Sequence, residues 1–417
     1  MATVTVCSTA FESLGRAQSK GLAHPELPIA LVPHPFGAIK RDRIREQALR
    51  TAFDIAYLVS PAAAPATAQA ITDLRAPTIQ LADDIEAVNR YFREQRWTDG
   101  FPVIPPTRER VERMLACTSR KGDDVVGLVA PGYGAATVER IAINAVMAGC
   151  DPEYLPVLIA AVDAIASPQF NLQGIQATTN PVAAWLIVNG PMAKRLKMNG
   201  GANCLGQGNW ANATMGRALR LVMQNIGRAM PGEMDRATQG YPGKFSFCCA
   251  ENEDESPWEP LHVERGFRPQ QSTVTVVGAE GIVNMNTRTK IVSEVIRVFA
   301  QSMPRPAGND YRTGGQPWIV LCPEYAEILS GGGLAKAEVK RLIWEQSKLP
   351  ASKLADIDFE LVQHARRAEL GVVTRDTLIP ACASPAELGI LVAGGPGTHS
   401  AYVQSFGNTR SVTREIV

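Results

Sequence analysis

Several features that would give a sequence an immediate reading are missing here. The eight cysteines contain no Cys-x-x-Cys pair, which removes zinc-ribbon and thioredoxin-type chemistry. Charge of either sign is not in excess: 42 basic and 41 acidic residues leave a net charge of +1, and nothing electrostatic favours nucleic acid or an anionic membrane surface. No apolar run reaches the roughly 18 to 20 residues that a spanning helix needs. The start, Met1 to Cys7, has neither the basic region nor the long apolar segment of a secretory signal. A cytoplasmic location follows, where most thiols stay reduced and act as small buried apolar groups. There is also no repeat of the length that marks solenoids or propellers.

What is present is an ordinary packed composition, 45% hydrophobic and 20% charged over 417 residues, long enough for two or three domains. The β-prone run Thr3–Cys7, a helix over Phe11–Lys20 and the apolar run Leu27–Val32 give strand, helix, strand. Parallel strands with a crossover helix belong to α/β folds, whose sites lie at the carboxyl ends of strands. Residues 61–78 are rich in Ala, Pro and Thr and read as a linker. Helices follow, capped by Asp83 or Asp84 and by Thr107, and one is opened by Asp151-Pro152-Glu153. Residues 171–217 are dense in amides and small residues around the strand-like AAWLIVNGP, a composition suited to a loop-lined pocket. A long helix is predicted from Ala211 to Met230. From Ser272 the pattern restarts as strand, helix, strand (317–322), helix (334–346) and strand (387–395).

The fold class is therefore α/β, an incomplete Rossmann-like fragment followed by a larger two-part α/β (α+β) region. The expected divisions are 1–60, the linker 61–78, a helical and loop-rich pocket domain over 79–270, and a second α/β unit over 271–417.

Three constellations could carry chemistry. The glycine-rich approach to the long helix, Gly200 to Gly208, would present N–H groups to an anion, with Arg217 and Arg220 within reach. Its spacing is neither GxGxxG nor a P-loop. Asn203, Gly206, Gly208, Asn212 and Arg217, with Gln176, Thr178, Thr179 and Asn189 from the preceding amide-rich loops, are the candidate substrate-binding residues. The second constellation is the acidic run Glu251-Asn252-Glu253-Asp254-Glu255 with Glu259, His262 and Glu264. A carboxylate cluster beside one of only five histidines suits acid–base work or a divalent metal. Pro260 argues against one regular helix there. The third is thiol chemistry: Cys204 lies near a helix start, where a thiolate is favoured, while Cys248-Cys249 read as buried structural residues. His34 and His399 sit after strands and are weaker candidates.

The run VTVCSTAFESLGRAQSKGLAHPELPIALVPHPFG (4–37) resembles the last part of the UGSC family of (seleno)proteins. The segments TDGFPVIPPT, NAVMAGCDPEYLPV, ANATMGRALRL and AENEDESPWEPLHVERGF are similar to the long region that accompanies that domain. The resemblance implies an α/β domain carrying a selenocysteine- or cysteine-Gly-Ser-Cys motif. This sequence has no Cys-Gly-Ser-Cys, and no family nucleophile can be carried over to a residue in it. Either a separate small subunit bears the motif, or the reading frame extends upstream across an in-frame selenocysteine codon.

The leading expectation is thus a component of a thiol- or selenol-dependent enzyme acting on a small molecule by reductive or lyase chemistry, with the reactive sulfur or selenium supplied by another chain. Glu259, His262, Glu264 and Cys204 would be its catalytic groups. One alternative is a self-contained metal-dependent hydrolase or lyase with Glu259, His262 and Glu264 on the metal; another is a non-catalytic small-molecule binding protein. No cofactor is indicated.

Overall fold

The computed structural model describes residues 3–35, 41–58 and 76–417, and most of the linker expected over 61–78 lies outside them. The N-terminal strands form as the sequence predicts. β1 (Thr5–Ser8) and β2 (Ile29–Val32) pair in parallel, with Thr5 opposite Ile29, and the helix Glu12–Gly21 connects them. That helix can lie close because Gly15 has no side chain: a Cβ there would sit 3.2 Å from Ile29 Cδ1 and 3.6 Å from Cys7 Sγ. Leu14 on its far side packs with Ala177 and Met234 of the main body. Thr5 and Val6 are exposed, Val6 by 51%, because among the described residues β1 has a strand partner on one side alone.

A short hairpin follows, β3 (Val125–Val129) with β4 (Gly134–Thr137). The main sheet is built from β5 (Ala183–Asn189), β6 (Cys248–Ala250), β7 (Thr273–Asn286) and β8 (Trp318–Leu321). The pair β9 (Leu349–Pro350) and β10 (Leu378–Ile379) stands apart. The sheet is completed by β11 (Gly389–Val392), β12 (His399–Ser405) and β13 (Val412–Glu415). Its order is β11-β8-β12-β7-β5-β6, with β13 also on β7. Strands from both sides of residue 270 share this one seven-stranded sheet, β5 and β6 forming one end of it, so the expected 270/271 boundary falls within it. β7 is long enough to serve two partners on one edge: β13 pairs Thr273–Val276 and β12 pairs Ala279–Asn286, with a bulge at Glu280.

The two-residue period of β5 shows how the sheet divides its surroundings. Ala184, Leu186 and Val188 face a helical core with the helices Val138–Ala148, Leu155–Ala166 and Trp210–Asn225. Ala183, Trp185 and Ile187 face the other way, where they meet Phe247, Cys249, Val277, Trp318, Val320, Leu391 and Val403. One face of β5 thus packs with residues from β8 and β11 at the far end of the strand order, which requires the sheet to curl. Loops join the two ends: Asn252 N–H donates to Val392 O at 2.8 Å, and Gly394 N–H donates to Gly200 O at 2.8 Å. A third core on the outside of β8 and β11 holds the helices Val292–Ser302, Pro323–Gly331 and Lys336–Gln346.

Asp84, Thr107, Thr137 and Asn209 cap their helices through side-chain oxygens. The helix predicted to run to Met230 ends at Asn225. Gly227 is pressed between Met223 O, Val129 and Ala130 O, and Arg228 turns to a φ of +57°, so the chain leaves the helix there. Among the described residues no single helix is long and apolar enough to cross a membrane.

Candidate active site at the carboxyl ends of β5 and β6

β5 and β6 run parallel and end side by side, at Asn189 and Ala250. Asn189 is fully buried, and its Nδ2 donates to Glu251 Oε2 at 2.5 Å and to Glu253 Oε1 at 3.1 Å. Gly190 N–H also donates to Glu253 Oε1, at 2.7 Å, and Leu261 N–H donates to Glu251 Oε2 at 2.7 Å. Leu261 opens the short helix Leu261–Glu264, which places His262 over the same carboxylates. His262 is 1% exposed; Nδ1 lies 3.8 Å from Glu253 Oε1 and Nε2 lies 3.5 Å from Pro269 O.

Three polar atoms in this cluster are buried without a partner: Asn189 Oδ1, Glu251 Oε1 and His262 Nδ1. Buried polar groups are normally satisfied, since an unmade hydrogen bond costs about 1–3 kcal/mol. Here three such atoms gather around the ends of β5 and β6. Burial pushes the Glu251 carboxyl up to about 7, against the pull of Lys336, the Leu261 N–H and Asn189. The group therefore exchanges its proton near neutrality, as acid–base catalysts do.

The expected trio of Glu259, His262 and Glu264 does not assemble. Glu259 is exposed and contributes its backbone oxygen, which accepts from Lys336 Nζ at 2.7 Å. Burial works to raise the Glu264 carboxyl, but Lys340 and Lys336 outweigh it and hold it below its ordinary value, as a fixed ion pair. Of the three, only His262 reaches the buried cluster, where Glu251 and Glu253 take the places expected for the other two. Among the described residues no group of three or more His, Cys, Asp or Glu is placed to hold a metal ion, so the residues do not fit the metal alternative.

The glycine-rich loop covers this site. Some of its donors serve the loop itself: Gly206 N–H donates to Asn203 O at 2.9 Å and Asn212 N–H to Asn209 Oδ1 at 2.9 Å. Asn203 Nδ2 donates to Gln207 O, and Asn212 Nδ2 donates to Asn199 O and Cys204 O. Gly208 adopts a φ of +113° at an open position. Arg217 is committed to Asp99 through two bonds of 2.8 and 2.9 Å. Cys204 is buried at 5% exposure. Its thiol is lowered by hydrogen bonding from the Cys249 thiol and by the Cys204 and Leu205 N–H groups, against the effect of burial.

Gly200 lies flush on the strand end: a Cβ there would be 2.7 Å from Glu251 C and O and 2.9 Å from Ala250 O. Gly200→Ala should therefore lift the loop from β6 and lower the unfolding free energy by about 1–3 kcal/mol. Denaturant unfolding checks this, and an unchanged midpoint would show that the loop is not packed on Glu251.

Gln176, Thr178 and Thr179 are not part of this site, because they precede β5 and Asn189 ends it. Gln176 is buried and donates to Ala130 O at 2.8 Å; Thr178 Oγ1 accepts from Asn180; Thr179 O accepts from Thr238 N. Sequence reasoning missed a second buried cluster, built on the bulge at Glu280. Its Oε1 accepts from Asn309 Nδ2 at 2.5 Å, and burial pushes its carboxyl up to about 7. An acid between glycines in a β-prone run, Gly278-Ala279-Glu280-Gly281, was the available signal. His34 Nδ1 meets Ser8 Oγ at 3.2 Å and His399 Nδ1 meets Asn284 Oδ1 at 3.1 Å, both exposed.

Residues 1–60 match the model of the UGSC family, which bears out the resemblance for that segment. No curated protein and no solved structure matches the chain.

Proposed function

We propose that this chain is one component of a thiol- or selenol-dependent enzyme acting on a small molecule by reductive or lyase chemistry. One observation carries the reading: a buried carboxyl group, Glu251, titrates near neutrality beside two other unpartnered polar atoms at the carboxyl ends of parallel strands. Either chemistry needs such a group. A reduction must deliver a proton with each electron pair, and an elimination must take one from carbon or give one to the leaving atom. Glu251 is the proton carrier in this proposal, Asn189 fixes its carboxylate, and Glu253 and the Pro269 carbonyl orient His262.

In this proposal the reactive sulfur or selenium lies in a cysteine- or selenocysteine-Gly-Ser-Cys motif, which this sequence does not contain, carried by a small partner chain or by an upstream extension of the reading frame. The side of β1 that has no strand partner among the described residues, with Val6 51% exposed, supports strand addition as the docking mode of such a partner chain. Co-expression with such a chain should give a complex that elutes together, and Val6→Lys in β1 should weaken it at least tenfold. A chain that stays apart from every such partner, with full turnover by itself, would overturn the proposal.

A further inference from the structure

The amino end of β5, opposite Asn189, lies against a second buried group of charges. Arg220 and Met223 of the helix Trp210–Asn225 and Lys244 of the turn Pro242–Lys244 line a cavity of about 10 Å³ with Ala183 and Ala184. That is room for one group of about the size of a water molecule. Arg220 is 8% exposed, and Asp235, which both cations approach, is 5% exposed. Lys244 Nζ holds both oxygens of Asp235, at 2.8 and 2.6 Å, and Ala237 N–H donates to Oδ1 as well. Arg220 Nη2 is left 3.6 Å from Oδ2, beyond hydrogen-bond range. Its guanidinium donates to neutral oxygens instead, Gln176 Oε1 at 3.4 Å and Ala229 O at 3.1 Å.

Two buried cations thus share one carboxylate. Among the described residues Asp235 is the only acid within ion-pair distance of either. Asp99, the next acid to act on Arg220, is already held by Arg217 through two bonds. Burial pulls both Arg220 and Lys244 below their ordinary values, against the effect of Asp235. An uncompensated buried charge is costly, and a guanidinium has five N–H donors to satisfy. One positive charge is therefore in excess beside a space that a small group can fill. We propose that this cavity binds a single monoatomic anion of the chloride class between Arg220 and Lys244. The ion fastens the segment that carries Asp235 and Lys244 to the helix Trp210–Asn225 and to the start of β5. Phe245, next along that segment, lies 5.0 Å from the Phe101 ring. This inference does not depend on the acid–base reading or on a partner chain.

The test is to titrate the full chain with sodium chloride, holding ionic strength constant with sodium gluconate, and to follow the midpoint of thermal unfolding. The midpoint should rise with chloride and saturate, because an ion that binds the folded state alone stabilises it. Lys244→Met keeps most of the side-chain stem and removes the charge, and it should raise the half-saturating concentration about tenfold or more. Crystals soaked in sodium bromide should show anomalous density between Arg220 and Lys244. A midpoint indifferent to chloride, an equal response in Lys244→Met, or bromide bound only elsewhere would overturn the proposal. The wild-type titration and the bromide map decide even if Lys244→Met fails to fold.

Discussion

Replacing Arg217 with alanine should lower the unfolding free energy by about 3 kcal/mol, because it strands a buried carboxylate. Asp99 has a side chain only 3% exposed, and the Arg217 guanidinium, 17% exposed, holds both of its oxygens. The same guanidinium donates to Pro102 O at 2.8 Å and lies 5.6 Å from the Phe101 ring centre. One arginine thus fastens the extended segment around residues 99–102 to the helix Trp210–Asn225. Asp99→Asn should cost less, since the charge it leaves unpaired is on the more exposed Arg217 guanidinium, which still donates to Pro102 O. Urea unfolding of both variants checks the order. If Arg217→Ala leaves the midpoint unmoved and weakens only the binding of small anions, Arg217 is a receptor and not a fastener.

That prediction marks the limit of what the sequence carries. The glycines and Arg217 in one stretch suggest an anion site, but the partner of Arg217 lies over a hundred positions upstream, and local pattern is silent about it. Elements marked by local chemistry were legible: β1 and β2 as apolar runs bounded by turns, the helices capped by Asp84 and Thr107, and β5 as an unbroken apolar strand. β12 was not. His399 to Ser405 mixes polar and apolar residues, and it becomes a strand because β7 and β8 pair with it on both sides. β13 likewise depends on the register of β7. At the site, the acidic run and His262 were visible as a group, but not the division of labour within it. Which carboxylate is buried is a tertiary property: Glu251 and Glu253 directly follow a strand end, whereas Glu259 faces solvent and Glu264 meets Lys336 and Lys340. The rule that sites gather at the carboxyl ends of strands, applied residue by residue, favours Glu251 over Glu259.

Glu251→Gln offers the sharpest test of that division, through the dependence of stability on pH. Glutamine preserves the shape and an oxygen to accept from Asn189 and Leu261, and it cannot ionise. In the wild type the folded Glu251 carboxyl titrates at about 7, above the ordinary value of 4.5. A raised carboxyl favours the protonated form in the fold. Its stabilising contribution is therefore complete below the unfolded value and is lost as pH climbs from about 4.5 through about 7. A shift of that size corresponds to roughly 3 kcal/mol. Glu280 and Asp310, raised by burial to about 7 and about 6, slope in the same direction, so both proteins should lose stability with rising pH. The difference between them isolates Glu251: relative to the wild type, the variant should gain roughly 3 kcal/mol between pH 4 and pH 8. Chemical denaturation at several pH values measures that difference directly. In the assembled enzyme the same substitution should reduce turnover by 10² to 10⁴, the range typical of a positioned acid or base, and remove the pH-rate limb near neutrality. Parallel stability curves would mean that Glu251 is ordinarily ionised in the fold, and its role as proton carrier would then fall.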